Sequence, residues 1–392
     1  MDATQRGVLT LLKSAVTGRG EALPEDFSLE AACRIMNKQS LLPLAFEGAH
    51  LCGISESEML MQRLFQGYCR HLVYSEGQLR SLSTLLEAFE KNGVDYLPVK
   101  GCLLKGLYPK PELRSMGDAD ILIRQKHYVE ACRIMGELGF VLQSEDDHVF
   151  YWKSPALSVE LHKCLAPPMD RDYYAYYGTG WHLAVQQAGC RYELSTEDHY
   201  VFLFAHFARH YRFSGIGCRH VLDLYVYRRQ YPEMDSTYIH RELKKLALAE
   251  FHENILRLLA VWFDGAQTDA VTEFITDFIF SGGTWGNWEN HLLSGQIRAA
   301  VPGKKIRHTK LHSALRGLFP APELMQRKYP ILQKMPILLP LFWILRILQT
   351  VIFRREAIAK RQRIIETVDD EKTKAYRRAM AYVGLDFGGE TR

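Results

Sequence analysis

The chain has 392 residues, 47% apolar and 24% charged, with a net charge of +4. That composition excludes a disulfide-stapled miniature domain, a low-complexity chain and a strongly basic nucleic-acid binder. Eight cysteines stand at positions 33, 52, 69, 102, 132, 164, 190 and 218 without a CxxC pair. Neither a disulfide framework nor a zinc cluster is expected, and reduced thiols in a cytoplasmic compartment fit the pattern.

Residues 1 to 92 read as an N-terminal helical region. The first twenty residues lack a basic cluster followed by an apolar core, so they read as mature helix. Leu79, Leu82, Leu86 and Phe89 share one helical face, and Gly93 in "KNG" supplies the stop signal.

From 93 to 196 the texture changes. "VDYLPV" predicts a strand, "CLLKGLY" one or two helical turns, and "PKPELRSMG" a loop. "DADILIR" predicts a second strand and "QKHYVEACRIMGELG" a helix closed by Gly139. "FVLQ", "HVFYWK" and "LSVELHK" predict three more strands. Residues 197 to 392 return to helices, beginning with a pair over 198–230 that carries His206, His210 and His220. The expected class is α+β: a small mixed sheet flanked by N-terminal and C-terminal helical regions.

Charge is unevenly spread. Residues 301–363 carry fourteen Lys and Arg against two Glu, a local +12, leaving −8 for the remainder. The apolar run 336–355 lies inside this segment, but Pro336, Pro340, Arg346 and Gln349 interrupt it. A membrane span needs about 20 apolar residues with few or no charges, so none is expected here. The run reads first as a packed C-terminal helix and second as a peripheral contact with an anionic membrane.

Asp118 and Asp120 open the second strand. Residues i and i+2 share a strand face, so the two carboxylates sit side by side while Ala119, Ile121 and Ile123 face the other way. In "LSVELHK", Glu160 and His162 alternate with Val159 and Leu161, so Glu160 can reach the same polar face. Three carboxylates from neighbouring strands suit a divalent cation, Mg²⁺ or Mn²⁺, and a two-metal phosphoryl-transfer site. Upstream, Lys100 and Gly101 form a turn that meets a helical start, with Lys105 and Arg114 adding positive charge for an anion. Lys105 reads equally well as a surface lysine. His206 and His210, four apart, share a helix face, and they and His162 read as polar contacts behind the site rather than as a metal centre. Asp223 reads as a partner for Arg219 or an orienter of His220.

"LPVKGCLLKGLYPKPELRSMGDADILI", followed by "VELHKCL" and the histidine-bearing helix pair, resembles the uncharacterised nucleotidyltransferase family of the DNA polymerase β superfamily. The resemblance spans roughly residues 30 to 350. It implies a polymerase β-like core in which Asp118, Asp120 and Glu160 bind metal. It also implies that Lys100 and Gly101 form the turn that faces the triphosphate, and Arg114 precedes the aspartates as in the family pattern. The sequence departs from the wider superfamily in having Gly101-Cys102 where Gly-Ser or Gly-Gly is usual. The gap to Asp118 is longer, and Glu160 stands where many relatives have Asp.

The expected activity is metal-dependent transfer of a nucleoside monophosphate from an NTP, ATP first, to a hydroxyl, with release of pyrophosphate. The acceptor could be a protein, a tRNA end or a small molecule. The alternative is a catalytically degenerate relative that associates with membrane or RNA through the basic 301–363 segment.

Overall fold

In the computed structural model, residues 96–194 build one seven-stranded sheet and helices build the rest. The structure describes residues 1–55, 59–146, 149–168, 170–284, 286–299, 319, 322, 325–326, 329, 331–353 and 370–385. The α+β class read from the sequence is the class that forms. The chain divides into two compact units. One comprises residues 1–211, 215–286 and 383–385; the other comprises 212–214, 287–382 and 386–392.

The first unit contains the sheet. Its strands are β1 (Tyr96–Val99), β2 (Ala119–Ile123), β3 (Val141–Glu145), β4 (Val149–Lys153), β5 (Ser158–His162), β6 (Ala184–Ala188) and β7 (Arg191–Leu194), in the order β3-β4-β5-β2-β1-β7-β6. β2 pairs parallel to β5, β1 pairs parallel to β7, and the remaining neighbours are antiparallel. The first five strands match the sequence expectation. The β6–β7 hairpin does not appear in it, although "AVQQAGCRYEL" carries a Gly-Cys turn between two short runs.

Four helices precede the sheet: α1 (Ala3–Thr17), α2 (Leu29–Lys38), α3 (Leu42–Leu51) and α4 (Met59–Lys91). A capping box between Asp2 and Gln5 starts α1. α4 is 33 residues long, and its last turns lie under the sheet. There Leu82, Leu85 and Phe89 meet Ala119, Ile121 and Ile123 of β2, Val159 and Leu161 of β5, and Ala131, Ile134 and Met135 of α6 (Tyr128–Glu137). One sheet face is therefore apolar core, and period-2 alternation leaves Asp120, Glu160 and His162 on the other. Two short helices, α5 (Gly101–Leu104) and α7 (Arg171–Tyr177), flank that second face. α8 (Thr196–Phe213), α9 (Cys218–Gln230), α10 (Ser236–Lys245), α11 (Ala249–Phe263) and α12 (Ala270–Ser281) follow.

In the second unit, the helix Trp288–Ala299 packs against Asp370–Tyr382, and Tyr376 donates its hydroxyl to the carbonyl of Arg212. Helix Leu339–Phe353 covers most of the apolar run. No described helix is long and apolar enough to cross a membrane. Residues 300–318 and 354–369, which carry much of the +12 segment, lie outside the described residues.

Phe89 has no solvent exposure and fills the space between α4 and the sheet. Phe89→Ala should lower stability by about 3–5 kcal/mol, seen as a lower urea midpoint at an unchanged slope.

Candidate active site

Strand register fixes the centre of the site. β2 and β5 place Asp120 opposite Glu160 and Leu122 opposite His162. Asp118 stands just before β2, and Tyr151 of β4 lies across from Glu160. His162 Nε2 is 2.8 Å from Asp120 Oδ1 and 3.3 Å from Glu160 Oε2, so the imidazole bridges the two carboxylates.

The chain leaves β1 at Lys100 with φ 51° and ψ −119°. An L-residue there carries backbone strain of about 1–3 kcal/mol. The Lys100 Nζ lies 2.7 Å from Asp120 Oδ1. Gly101 follows where a side chain has no room, since a Cβ would stand 2.9 Å from Arg114 Nη1 and 3.1 Å from Met116 Cγ. The Cys102 thiol donates to the Asp120 carbonyl and so ties the turn to β2.

The electrostatics follow from this crowding. Burial works to raise Asp120, but Lys100 and His162 outweigh it and hold the carboxyl well below the usual carboxylate range. Asp118 is pushed up to about 6, first by burial, then by the charges of Asp120 and Glu160, and it shares a hydrogen bond with Glu160. Burial opposes charge on His162, yet its bonds to Asp120 and Glu160 raise its pKa on balance.

Asp120, Glu160 and His162 each offer a ligand atom within 4.8 Å of the others. Two carboxylate oxygens and one imidazole nitrogen fit a divalent cation. The group that meets at ligand distance thus contains His162, which the sequence had placed behind the site. Asp118 joins through its hydrogen bond to Glu160.

These residues line a cavity of about 350 Å³. Its far wall comes from α7, α8 and α9, which supply Tyr177, Phe202, His206, His210 and His220. The rings of His206 and His210 are 4.3 Å apart, and that of His220 lies 6.3 Å from His210. Burial pushes all three down, and neighbouring cations add to it; His210 falls to about 3. The environment of all three favours the uncharged imidazole. Arg209, which the sequence reading passed over, also lines the cavity and ion-pairs with Asp170. Its position between His206 and His210 on α8 was the available signal.

Every residue singled out in the sequence as catalytic, metal-binding or nucleotide-binding lines this cavity except Lys105. Lys105 is 1% exposed. Its Nζ donates to Ser75 Oγ at 2.7 Å and to the carbonyls of Pro111 and Arg114 at 3.0 Å each. It fastens the pre-strand loop to α4 and is neither a surface lysine nor a cavity residue. Asp223 also differs from expectation. It receives Arg114 through two hydrogen bonds of 3.0 Å and the Tyr108 hydroxyl at 2.8 Å. Arg219 instead donates to the carbonyl of Ser115.

The sequence profile of the uncharacterised nucleotidyltransferase family matches residues 25–264. That is more than half of the chain, from before α2 through α11, with the whole sheet and the three cavity-wall helices inside it. The chain belongs to this nucleotidyltransferase family. No curated protein and no solved structure matches it.

The raised Asp118 carboxyl makes a stability prediction. Its folded pKa of about 6 lies above the ordinary 3.8, so the native state holds the proton more tightly. That contribution is present below pH 4 and is lost as pH rises through 6. In EDTA at pH 8, Asp118→Asn should therefore be more stable than the parent by about 1–3 kcal/mol. The gap should close near pH 4, as read from urea midpoints at both pH values.

Proposed function

We propose that this family member transfers a nucleoside monophosphate from an NTP, ATP first, to a hydroxyl of an acceptor. The observation that carries the reading is Asp120 in register with Glu160 on paired strands, with Asp118 and His162 bonded to them, all lining one cavity. Asp120, Glu160 and His162, joined by Asp118 once it loses its proton, would hold a divalent cation. When bound, such a cation supplies Lewis-acid charge at the phosphoryl group and acidifies the attacking hydroxyl. Mg²⁺ or Mn²⁺ is the expected ion.

The remaining chemistry belongs to the side chains. Arg114, fixed by Asp223, presents a positive edge to the cavity for the phosphates. Glu160, partly exposed, accepts the proton of the acceptor hydroxyl. The hydroxyl oxygen bonds to the α-phosphorus, the bond from that phosphorus to the β-bridging oxygen breaks, and pyrophosphate leaves. The α7–α9 wall, which mixes aromatic side chains with histidines and Arg209, would face the rest of the nucleotide. A protein, a tRNA end or a small molecule remains the acceptor class. A cytoplasmic location belongs to the same proposal, supported by eight cysteines that are all free.

The test uses each α-labelled NTP with Mg²⁺ or Mn²⁺ and a cell extract. Label should pass to a discrete acceptor, and Asp120→Asn should reduce transfer by about a hundredfold or more. Undiminished transfer by that variant would remove the site from the reaction.

A second reading has its own observation. On helix Leu339–Phe353, Leu341 is 58% exposed and Ile344 55%, and Ile337 in the turn before it is 84% exposed. The surrounding 301–363 sequence carries +12. An exposed apolar helix face among basic residues suits the surface of an anionic bilayer. Full-length protein should co-sediment with phosphatidylserine vesicles at low salt, and the double variant Leu341→Asp, Ile344→Asp should stay in the supernatant. Salt-dependent binding to tRNA that the double variant retains would instead assign the segment to RNA.

A further inference from the structure

Lys100 combines two features that ordinary nucleotide contacts do not explain. Its backbone, at φ 51°, suits a glycine, yet a lysine stands there. A strained non-glycine residue persists where its side chain has a use. That side chain is 17% exposed, and its ammonium rests on Asp120 Oδ1 at 2.7 Å. The same oxygen meets His162 Nε2 at 2.8 Å, and Asp120 belongs to the trio that converges at ligand distance. A divalent cation bound to that oxygen would lie against the ammonium, and two positive charges so close in a buried site repel strongly. The ammonium and a divalent cation would therefore compete for Asp120.

We infer that Lys100 is an exchangeable counter-cation: it neutralises Asp120 while no metal is bound, and an arriving divalent ion displaces it toward the nucleotide phosphates. The inference rests on the metal-site reading given under Proposed function. Lys100 then does two jobs in sequence. Before loading, it relieves the repulsion among Asp118, Asp120 and Glu160. After loading, its freed ammonium stays in the cavity wall, where a triphosphate would need a cation. The exchange couples the two ligands, since metal binding frees the lysine that the phosphates use.

The consequence has an unusual sign. Removing a nucleotide-binding lysine should tighten metal binding. Mn²⁺ binding to the nucleotide-free protein, followed by electron paramagnetic resonance, is the measurement. Lys100→Met should bind Mn²⁺ about tenfold more tightly than the parent, the scale of one charge-assisted contact that no longer has to be broken. Lys100→Arg, which keeps the charge, should stay near the parent affinity. In EDTA, Lys100→Met should melt at a lower temperature than the parent and recover on adding Mn²⁺. Equal or weaker Mn²⁺ binding by Lys100→Met overturns the exchange but leaves the metal site standing. No Mn²⁺ binding to either protein removes the metal site, and the exchange with it.

Should Lys100→Met fail to fold, the wild-type protein still decides the matter. After reductive methylation with ¹³C-formaldehyde, the lysine resonance absent from Lys100→Arg should move on adding Mg²⁺. A resonance that stays in place overturns the exchange.

Discussion

The site depends on one electrostatic constraint: two carboxylates held in register on adjacent strands. Asp120 and Glu160 cannot move apart, because the β2–β5 ladder and the core beneath Ile121 and Leu161 fix them. Left alone they repel, and each neighbouring group answers that repulsion in a different way. His162 bridges both, Lys100 sits on Asp120, and Asp118, its carboxyl raised by burial and by the two neighbouring charges, hydrogen-bonds Glu160. All of these are substitutes for a cation.

The same rigidity explains the division of labour between the sheet faces. The face packed on α4 and α6 is closed and apolar, so it can set positions to within a fraction of a side chain. The face toward α8 and α9 is open and polar. Chemistry is placed on the second face and precision comes from the first. The buried ammonium of Lys105 belongs to the positioning side, because it holds the loop that delivers Arg114.

Much of this was legible in the sequence, for definite reasons. Alternation with period two exposes which residues share a strand face, so Asp118, Asp120, Glu160 and the opposing Ile121 could be sorted without a structure. The histidine-bearing helix pair was legible from its length and apolar content. The β6–β7 hairpin was not, because β6 is largely exposed and includes two glutamines, which gives no apolar period. The role of Lys105 was hidden because lysines are almost never fully buried, and nothing local announces three acceptors waiting for one. The partner of Asp223 was hidden because it depends on which distant segment arrives beside α9. Carboxylate alternation is a local property, and ion-pair choice is not.

That last pairing has a temporal meaning. Arg114 and Asp223 are 109 residues apart in the chain, and the bond between them joins the loop before β2 to α9. The strands of the carboxylate ladder close much shorter loops and can form early; the Arg114 contact carries the entropy of a long one. During synthesis the acidic edge would take shape while Arg114 still lacked a counter-ion. Only the arrival of α9 completes the cavity. By loop-closure entropy a nascent chain would acquire its acidic cradle before the wall that faces it, and the cavity would be complete only once α9 has docked.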